Sequence, residues 1–137
     1  MRAKFLASVP GFKDFMKALK EAVKTRGFLL SIDGHPLPIR SDHAALNTLL
    51  QSAGAIVMKV ALVHLDENLQ YIYTPGKDYE YAANVHDEYQ ILVSPRADAD
   101  LVGQLAVDAI KAAGNILGIR CELGGEYKIG KNWKETH

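Results

Sequence analysis

The sequence has few of the features that would assign a class of function at once: it is poor in cysteine, has no net charge and lacks long apolar runs. Its 137 residues contain one cysteine, Cys121, which excludes a disulfide within the chain and a thiolate metal cluster and indicates a reducing compartment. The 16 basic and 16 acidic residues balance, which argues against a protein that binds nucleic acid through bulk charge alone. No window suggests a membrane span and no signal peptide is evident, so we expect a cytoplasmic protein.

The balanced charges are unevenly distributed along the chain. Residues 1–40 carry eight Lys and Arg against three Asp and Glu, residues 41–100 carry three against nine, and the remainder carries five against four. This asymmetry fits a site that binds cations beside a surface that meets anions, although solvated helix faces give similar counts. The length is that of one ordinary domain, and we find no repeats and no low-complexity linker.

Hydrophobic periodicity predicts three helices. The first begins near residue 12 and ends at about Gly27. The second runs from about 44 to about 69, is capped by Ser41 or Asp42, and is so apolar that it must lie buried or against a partner. The third covers "ADADLVGQLAVDAIKAAGNILG", with Gly118 as its C-cap.

Strand patterns occupy the intervals between these helices. "GFLLSIDGHPLPIR" contains two short apolar runs around Asp33-Gly34, which predicts a hairpin whose proline-containing second run lies at a sheet edge. Two more strands flank "VHDE", and a last strand is predicted over about 119–123. The fold class is therefore α/β in the mixed α+β sense, with a small antiparallel sheet packed on long helices.

The stretch "YEYAANVHDEYQILVSP" contains the first feature that suggests chemistry. Alternation predicts one side of the first strand to carry Tyr79, Tyr81, Ala83 and Val85. The tip holds His86, Asp87 and Glu88 without a glycine, and an aspartate tolerates the unusual backbone of a tight turn. Two adjacent carboxylates repel each other, and Mg²⁺ relieves this repulsion while accepting their hard oxygen ligands. The tip is thus half of a two-metal site, or a polar turn that faces water and has no function.

A polar stripe at the start of the long helix is the second feature. His43, Asn47 and Gln51 are spaced i, i+4, i+8 and would share one helix face. Side-chain amides in a row can donate hydrogen bonds to purine N3 and pyrimidine O2, the minor-groove acceptors that every base pair displays. The stripe would sense duplex shape without reading sequence, or it is an ordinary solvent-facing turn.

Together these segments resemble a known family. "HAALNTLLQSAGAIVMK" at 43–59, "VHDE" at 85–88 and the terminal "NWKETH" are similar to the C-terminal palm region of family A, DNA polymerase I-like, DNA polymerases, in the form of the phage replicative branch. "FLASVPGFKDFMKALKEAVKTRGFLLSIDGHPLPIR" is similar to the segment after the family's nucleotide-binding fingers helix. The resemblance covers the chain as a single domain, with 1–40 as fingers-to-palm segment and 41–137 as palm.

The resemblance implies roles for residues at the hairpin tip. Asp87 matches the palm aspartate that binds the catalytic metals, and Glu88 matches the neighbouring carboxylate that supports that site. His86 matches a residue near the primer terminus. All three are expected to be catalytic, and Mg²⁺ is the expected cofactor, bound by Asp87 and Glu88 in a two-metal site that a partner chain completes.

The resemblance also implies contacts with DNA. Asn47 and Gln51 match side chains that touch the minor groove of the nascent duplex. His43 stands where many family members have an arginine, and with Arg40 it completes the expected DNA-binding set. The expected partners are primer-template DNA and a dNTP.

Segments of the family that are missing from the sequence limit its expected activity. Neither the second metal-binding aspartate nor the fingers helix that holds the incoming nucleotide is found, so the chain is expected to be inactive until an N-terminal polymerase polypeptide joins it. It would be a separately encoded subunit, favoured by Met1, or an excised fragment, in the host cytoplasm if a phage encodes it. Alone, it is expected to self-associate through apolar surface. The alternative is a non-catalytic remnant that binds duplex DNA or a replication protein.

Overall fold

Four helices and two β-hairpins follow one another along residues 9–41 and 43–136, the part of the chain that the computed structural model describes. The elements are α1 (Phe12–Arg26), β1 (Phe28–Leu30), β2 (Pro36–Pro38), α2 (Ala45–Gln70), β3 (Tyr79–Val85), β4 (Glu88–Val93), α3 (Ala99–Ile116) and α4 (Trp133–Thr136). Two separate two-stranded sheets, β1-β2 and β3-β4, are both antiparallel. The predicted mixture of helices with small antiparallel sheets is confirmed.

The chain separates into two compact units, one ending at Ala53 and the other beginning at Gly54. In the first unit, α1 ends where Gly27 adopts φ 77° and its N–H bonds to the carbonyl of Val23. The hairpin predicted around Asp33-Gly34 is present, with Leu29 opposite Leu37. The apolar core of this unit consists of Leu19, Leu29 and Ala45 with the partly buried side chains around them.

The core of the second unit lies between α2, α3 and the β3-β4 hairpin. Its fully buried members include Leu65 and Leu69 of α2 and Val102 of α3. Tyr79 of β3 is only 2% exposed and belongs to the same cluster. The hairpin therefore rests on a packed apolar base, which limits how far its tip can move.

Helix α2 is long and apolar enough to span a membrane by length and composition, and 17% of its most apolar window is buried within the protein. The expectation that no window would suggest a span therefore does not hold for α2 by this criterion. One such helix is weak evidence of a span, since the core helix of a soluble protein passes the same test. In this chain, Leu65 and Leu69 of the helix form core contacts.

The segment after α3 differs from its prediction. Residues 119–123 form no strand, and in the part of the chain that the structure describes they pair with neither of the two sheets. The segment instead lies along α3: a Cβ on Gly114 would come within 3.0 Å of the Leu123 side chain, and one on Gly103 within 2.3 Å of the Tyr127 ring. Gly118 follows the C-cap, Leu117, with φ 66°. The predicted helix cap Asp42 lies outside the described residues.

Candidate metal site at the tip of the β3-β4 hairpin

Hydrogen bonds from tyrosine side chains attach the hairpin to α2. Tyr79 Oη donates to Asp66 Oδ1 at 2.8 Å, and Gln70 Nε2 donates to Asp66 Oδ2 at 2.6 Å. From the other strand, the Tyr89 hydroxyl donates to the backbone carbonyl of Met58. Each strand thus has its own anchor on the same helix.

The environment of these tyrosines keeps their phenols protonated. Burial, assisted by the hydrogen bond to Asp66 and its charge, raises the pKa of Tyr79 to about 12. Burial raises the pKa of Tyr89 to about 12 as well. Burial, followed by the charge of Asp66, also raises the pKa of Tyr81. The hydroxyl of Tyr81 is buried, and no hydrogen-bond partner lies within bonding geometry among the described residues. At neutral pH all three side chains are therefore neutral.

A β-bulge interrupts the pairing of the two strands. Tyr81 pairs with Ile91, but the next pair is Ala83 with Gln90, which leaves Ala82 without a partner across the sheet. Burial along β3 still alternates past the bulge as far as Ala83, which is partly buried between exposed neighbours. It does not extend to Val85, which is 38% exposed, so the prediction that Val85 shares the buried face is wrong.

The tip of the hairpin is a two-residue loop of His86 and Asp87, between the paired residues Val85 and Glu88. His86 has φ 56°, and it is the one non-glycine with positive φ in the described chain. Positive φ at the first loop residue alone matches the sign pattern of a type II′ turn, which glycine usually serves. The sequence predicted the unusual backbone conformation at Asp87, whereas in the structure His86 adopts it.

The side chains at the tip differ in exposure. His86 and Asp87 are exposed to solvent, whereas Glu88, the first residue of β4, is half-buried. The side-chain amide of Gln90 donates from Nε2 to Glu88 Oε1. The Oε1 of the same amide accepts a weak hydrogen bond from the Thr136 hydroxyl at 3.4 Å, so α4 at the end of the chain is connected to the tip.

The tip supplies carboxylate oxygens but not a complete metal site. In residues 9–41 and 43–136, no group of three or more His, Cys, Asp or Glu side chains is arranged to hold an ion. Asp87 and Glu88 are adjacent hard-oxygen donors, the kind that Mg²⁺ prefers, and Asp87 faces solvent. The chemistry of this donor set therefore fits part of a magnesium site.

The residues expected to contact DNA are all exposed, and all belong to the first unit. Asn47 and Gln51 lie one turn apart on the first part of α2 and share a face. His43 lies in the turn before the helix begins at Ala45, so the prediction that it shares their helix face is wrong. Arg40 lies between β2 and α2.

Sequence reasoning missed the residues that support the tip. Gln90 could have been found from its spacing, because it lies two residues after Glu88 in an alternating strand and must point to the same face. Asp66 is one of two carboxylates, with Glu67, in an otherwise apolar stretch of helix, and a carboxylate that becomes partly buried needs a hydrogen-bond partner. The bond from Thr136 had no signal in the sequence, since it joins residues 46 positions apart.

A model of the family described as DNA polymerase family A matches residues 1–135 of the chain. Among individual proteins, the DNA-directed DNA polymerase of Enterobacteria phage T3 is 38% identical over 115 residues, which cover 82% of this chain and 16% of that polymerase. The DNA-directed DNA polymerase of Escherichia phage Phieco32 is 36% identical, and the matched region covers 100% of this chain and 23% of that polymerase. The chain thus spans less than a quarter of the length of these relatives.

A solved structure shares the fold. It is described as the POL domain of Pol1 from M. smegmatis in complex with DNA primer-template and dNTP. The match has a TM-score of 0.64 at 22% sequence identity and covers 75% of this chain and 20% of that one. At this identity the likeness supports the arrangement of helices and strands.

Proposed function

Because the chain belongs to DNA polymerase family A, we propose that it is the C-terminal palm part of a template-directed DNA polymerase and works only with a companion polypeptide. Residues 1–40 would be the fingers-to-palm segment and 41–137 the palm. The observation that carries the proposal is the hairpin tip, where Asp87 faces solvent beside Glu88 on a base anchored to α2.

In this proposal Asp87 and Glu88 hold catalytic Mg²⁺, together with an aspartate of the companion chain. Metal ions in such a site lower the pKa of an attacking hydroxyl and neutralise charge on the phosphates. The contribution of this chain is to hold two carboxylates at a fixed place, since the tyrosine anchors and the short loop limit movement of the tip. His86, exposed at the tip, would lie near the primer terminus.

Contacts with the duplex are assigned to exposed polar residues of the first unit. Asn47 and Gln51 would donate to minor-groove acceptors that all base pairs share, which senses duplex geometry without sequence preference. Arg40 and His43 would contact the phosphate backbone nearby. Primer-template DNA and a dNTP are thus the proposed substrates, in the cytoplasm of the host cell if a phage encodes the chain.

The proposed companion polypeptide would supply the metal ligands that the hairpin lacks. Among the described residues the hairpin offers two adjacent carboxylates, and a two-metal site needs ligands from more than one segment to hold both ions. The same observations favour a second candidate, a non-catalytic remnant that binds duplex DNA or a replication protein.

The two candidates are separated by Asp87→Ala in a mixture of this chain with a family A polymerase truncated before the matched region. If the chain is catalytic, the variant lowers Mg²⁺-dependent primer extension at least about a hundredfold, because it removes charge that the metals require. Its affinity for duplex DNA should stay unchanged, measured by fluorescence anisotropy. Asp108→Ala, an exposed carboxylate on α3, is the matched control.

If the chain is instead a non-catalytic remnant, the two measurements should give different results. Asp87→Ala would leave both readouts near those of the unaltered chain, whereas Asn47→Ala would weaken duplex binding. Extension that survives Asp87→Ala in an active mixture would therefore contradict the catalytic role of this hairpin.

A further inference from the structure

The carboxylate of Glu88 has a partner that the resemblance to the family does not assign. The side chain begins at the first residue of β4 and is half-buried, unlike that of Asp87 in the loop before it. A glutamate has three side-chain torsions and samples several rotamers unless a bond selects one. In this chain that bond comes from Gln90, whose Nε2 donates to Glu88 Oε1.

The charge on Glu88 dictates which way the amide of Gln90 faces. An ionised carboxylate only accepts hydrogen bonds, so the NH₂ group must face Glu88 and the carbonyl oxygen must face away. The carbonyl oxygen then lies 3.4 Å from the Thr136 hydroxyl, a donor that suits it. The same hydroxyl also lies 3.1 Å from the carbonyl of Trp133, so its single proton is shared between two acceptors. The hydrogen bond from Thr136 to Gln90 is therefore weaker than the one from Gln90 to Glu88.

Helix α4 is short, and hydrogen bonds between Glu135 and the turn before the helix stabilise it. These hydrogen bonds help to place Thr136 beside β4. Glu135 Oε2 accepts from the backbone N–H of Lys131 at 2.8 Å, and Glu135 Oε1 accepts from Asn132 Nδ2 at 2.8 Å. A Cβ on Gly130 would meet the Glu135 side chain at 2.5 Å, so this residue has to be small. The turn before α4 is thus compact.

Gln90 does not hold the apolar core together. It lies on the face of β4 that also carries Glu88, while Tyr89 and Ile91 on the other face pack against the core. A polar side chain away from the core, bonded to one carboxylate and touched by the chain end, has little to stabilise other than the orientation of that carboxylate.

We propose that Gln90 is a positioning residue for the Glu88 carboxylate and that Thr136 on α4 holds the Gln90 amide in place, so the end of the chain supports the tip of the hairpin. The inference rests on the proposed function for its consequence, which is metal binding. The orientation itself is a property of this chain alone.

The test is NMR on the isotopically labelled full chain. In the unaltered protein, three-bond couplings of Glu88 should report one dominant rotamer, and a cross-relaxation signal should join the Gln90 side-chain NH₂ to the Glu88 γ protons. Gln90→Leu should average the Glu88 couplings, and Thr136→Val should do so in part and shift the Gln90 NH₂ signals. Thr136→Ser keeps the hydroxyl and should restore the unaltered pattern.

The matched control is Gln104→Leu, which breaks a similar amide-to-carboxylate bond, from Gln104 Nε2 to Asp108 at 3.1 Å on α3. It should leave Glu88 unchanged. A single Glu88 rotamer retained in Gln90→Leu would overturn the proposal. If Gln90→Leu fails to fold, Thr136→Val decides alone, since Thr136 belongs to neither apolar core cluster, and unchanged Gln90 and Glu88 signals there would overturn it.

A second arm measures metal binding without polymerase activity. Mn²⁺ should broaden the side-chain signals of Asp87 and Glu88, and the concentration for half broadening should rise up to about tenfold in Gln90→Leu, as when an oriented ligand loses its partner. No broadening in the unaltered chain would show that the two carboxylates bind no ion without the ligand of the companion chain, and the rotamer result alone would then decide the role of Gln90. An unchanged Mn²⁺ concentration in Gln90→Leu would overturn the link between orientation and metal binding.

Discussion

Individual side chains decide how firmly the hairpin is attached to α2. Tyr79 and Tyr89 each donate a phenolic proton, one to Asp66 and the other to the carbonyl of Met58. A phenolate cannot donate, and placing its negative charge near Asp66 would be repulsive. Both anchors therefore depend on tyrosines that stay protonated, which the raised pKa values of about 12 achieve.

Stability should consequently fall between pH 10 and pH 12. In this window the folded chain keeps the protons of Tyr79 and Tyr89 while the unfolded chain loses them, so the free energy of unfolding decreases as pH rises. Each tyrosine contributes a slope of up to about 1.4 kcal/mol per pH unit. Below pH 10 the contribution is complete and the slope vanishes.

Urea unfolding followed by circular dichroism from pH 8 to pH 12 measures this dependence. Tyr79→Phe should reduce the slope, whereas Tyr71→Phe should not, because Tyr71 is 89% exposed. An unfolding free energy that is flat across the window in the unaltered chain would refute the role assigned to the phenols.

At the scale of elements, the β3-β4 hairpin turns without glycine and places the positive φ on His86. For a residue with a Cβ, this backbone costs roughly 1–2 kcal/mol. Such strain often lies at functional sites, where the surrounding structure enforces it. Here the flanking strands enforce it, because Val85 and Glu88 pair across the two ends of the loop.

Substitution by glycine should therefore change the free energy of unfolding in opposite directions at His86 and at Asp87. His86→Gly should raise the free energy of unfolding by roughly 0.5–1 kcal/mol, because relief of strain exceeds the added entropy of the unfolded chain. Asp87→Gly should lower it by roughly 0.5–1 kcal/mol, because φ there is not positive and only the entropy changes. Urea unfolding at neutral pH compares the two, and a loss of stability in both variants would argue against strain at His86.

The elements that sequence patterns predicted well are those with local signals. The end of α1 follows from Gly27 and the first hairpin from Asp33-Gly34, because each glycine supplies the backbone that its position needs. The bulge at Ala82 and the unpaired tail after Gly118 depend on contacts distant in sequence, so periodicity mispredicted both. For the tip, the pattern found the carboxylates but not the amide and hydroxyl behind Glu88.

At the scale of the whole molecule, several large apolar side chains are exposed to solvent. Val63 on α2 is 60% exposed and Ile116 at the end of α3 is 62% exposed, and both line one shallow groove of the second unit. Among residues 9–41 and 43–136 each sheet has two strands, so each of these strands also has an unpaired edge. Surfaces of this kind usually meet a partner.

In the absence of a companion chain, self-association is therefore expected to rise with concentration. Replacing both groove residues with lysine, Val63→Lys and Ile116→Lys, should shift the average mass toward that of the monomer, because burying two ammonium groups at a contact is costly. Gln104→Lys adds charge elsewhere on α3 and should change little. Sedimentation velocity over a hundredfold range of concentration makes the comparison, and a monomer throughout would speak against this expectation.

The central claim is that this chain completes a polymerase and does not act alone. The most direct measurement is Mg²⁺-dependent primer extension by three samples: this chain, a T3-type polymerase truncated before the region that the chain matches, and the two mixed. The account predicts extension by the mixture alone, lost with Asp87→Ala and kept with Asp108→Ala. Extension by the chain alone, or none by a mixture whose two parts are shown to associate, would contradict it.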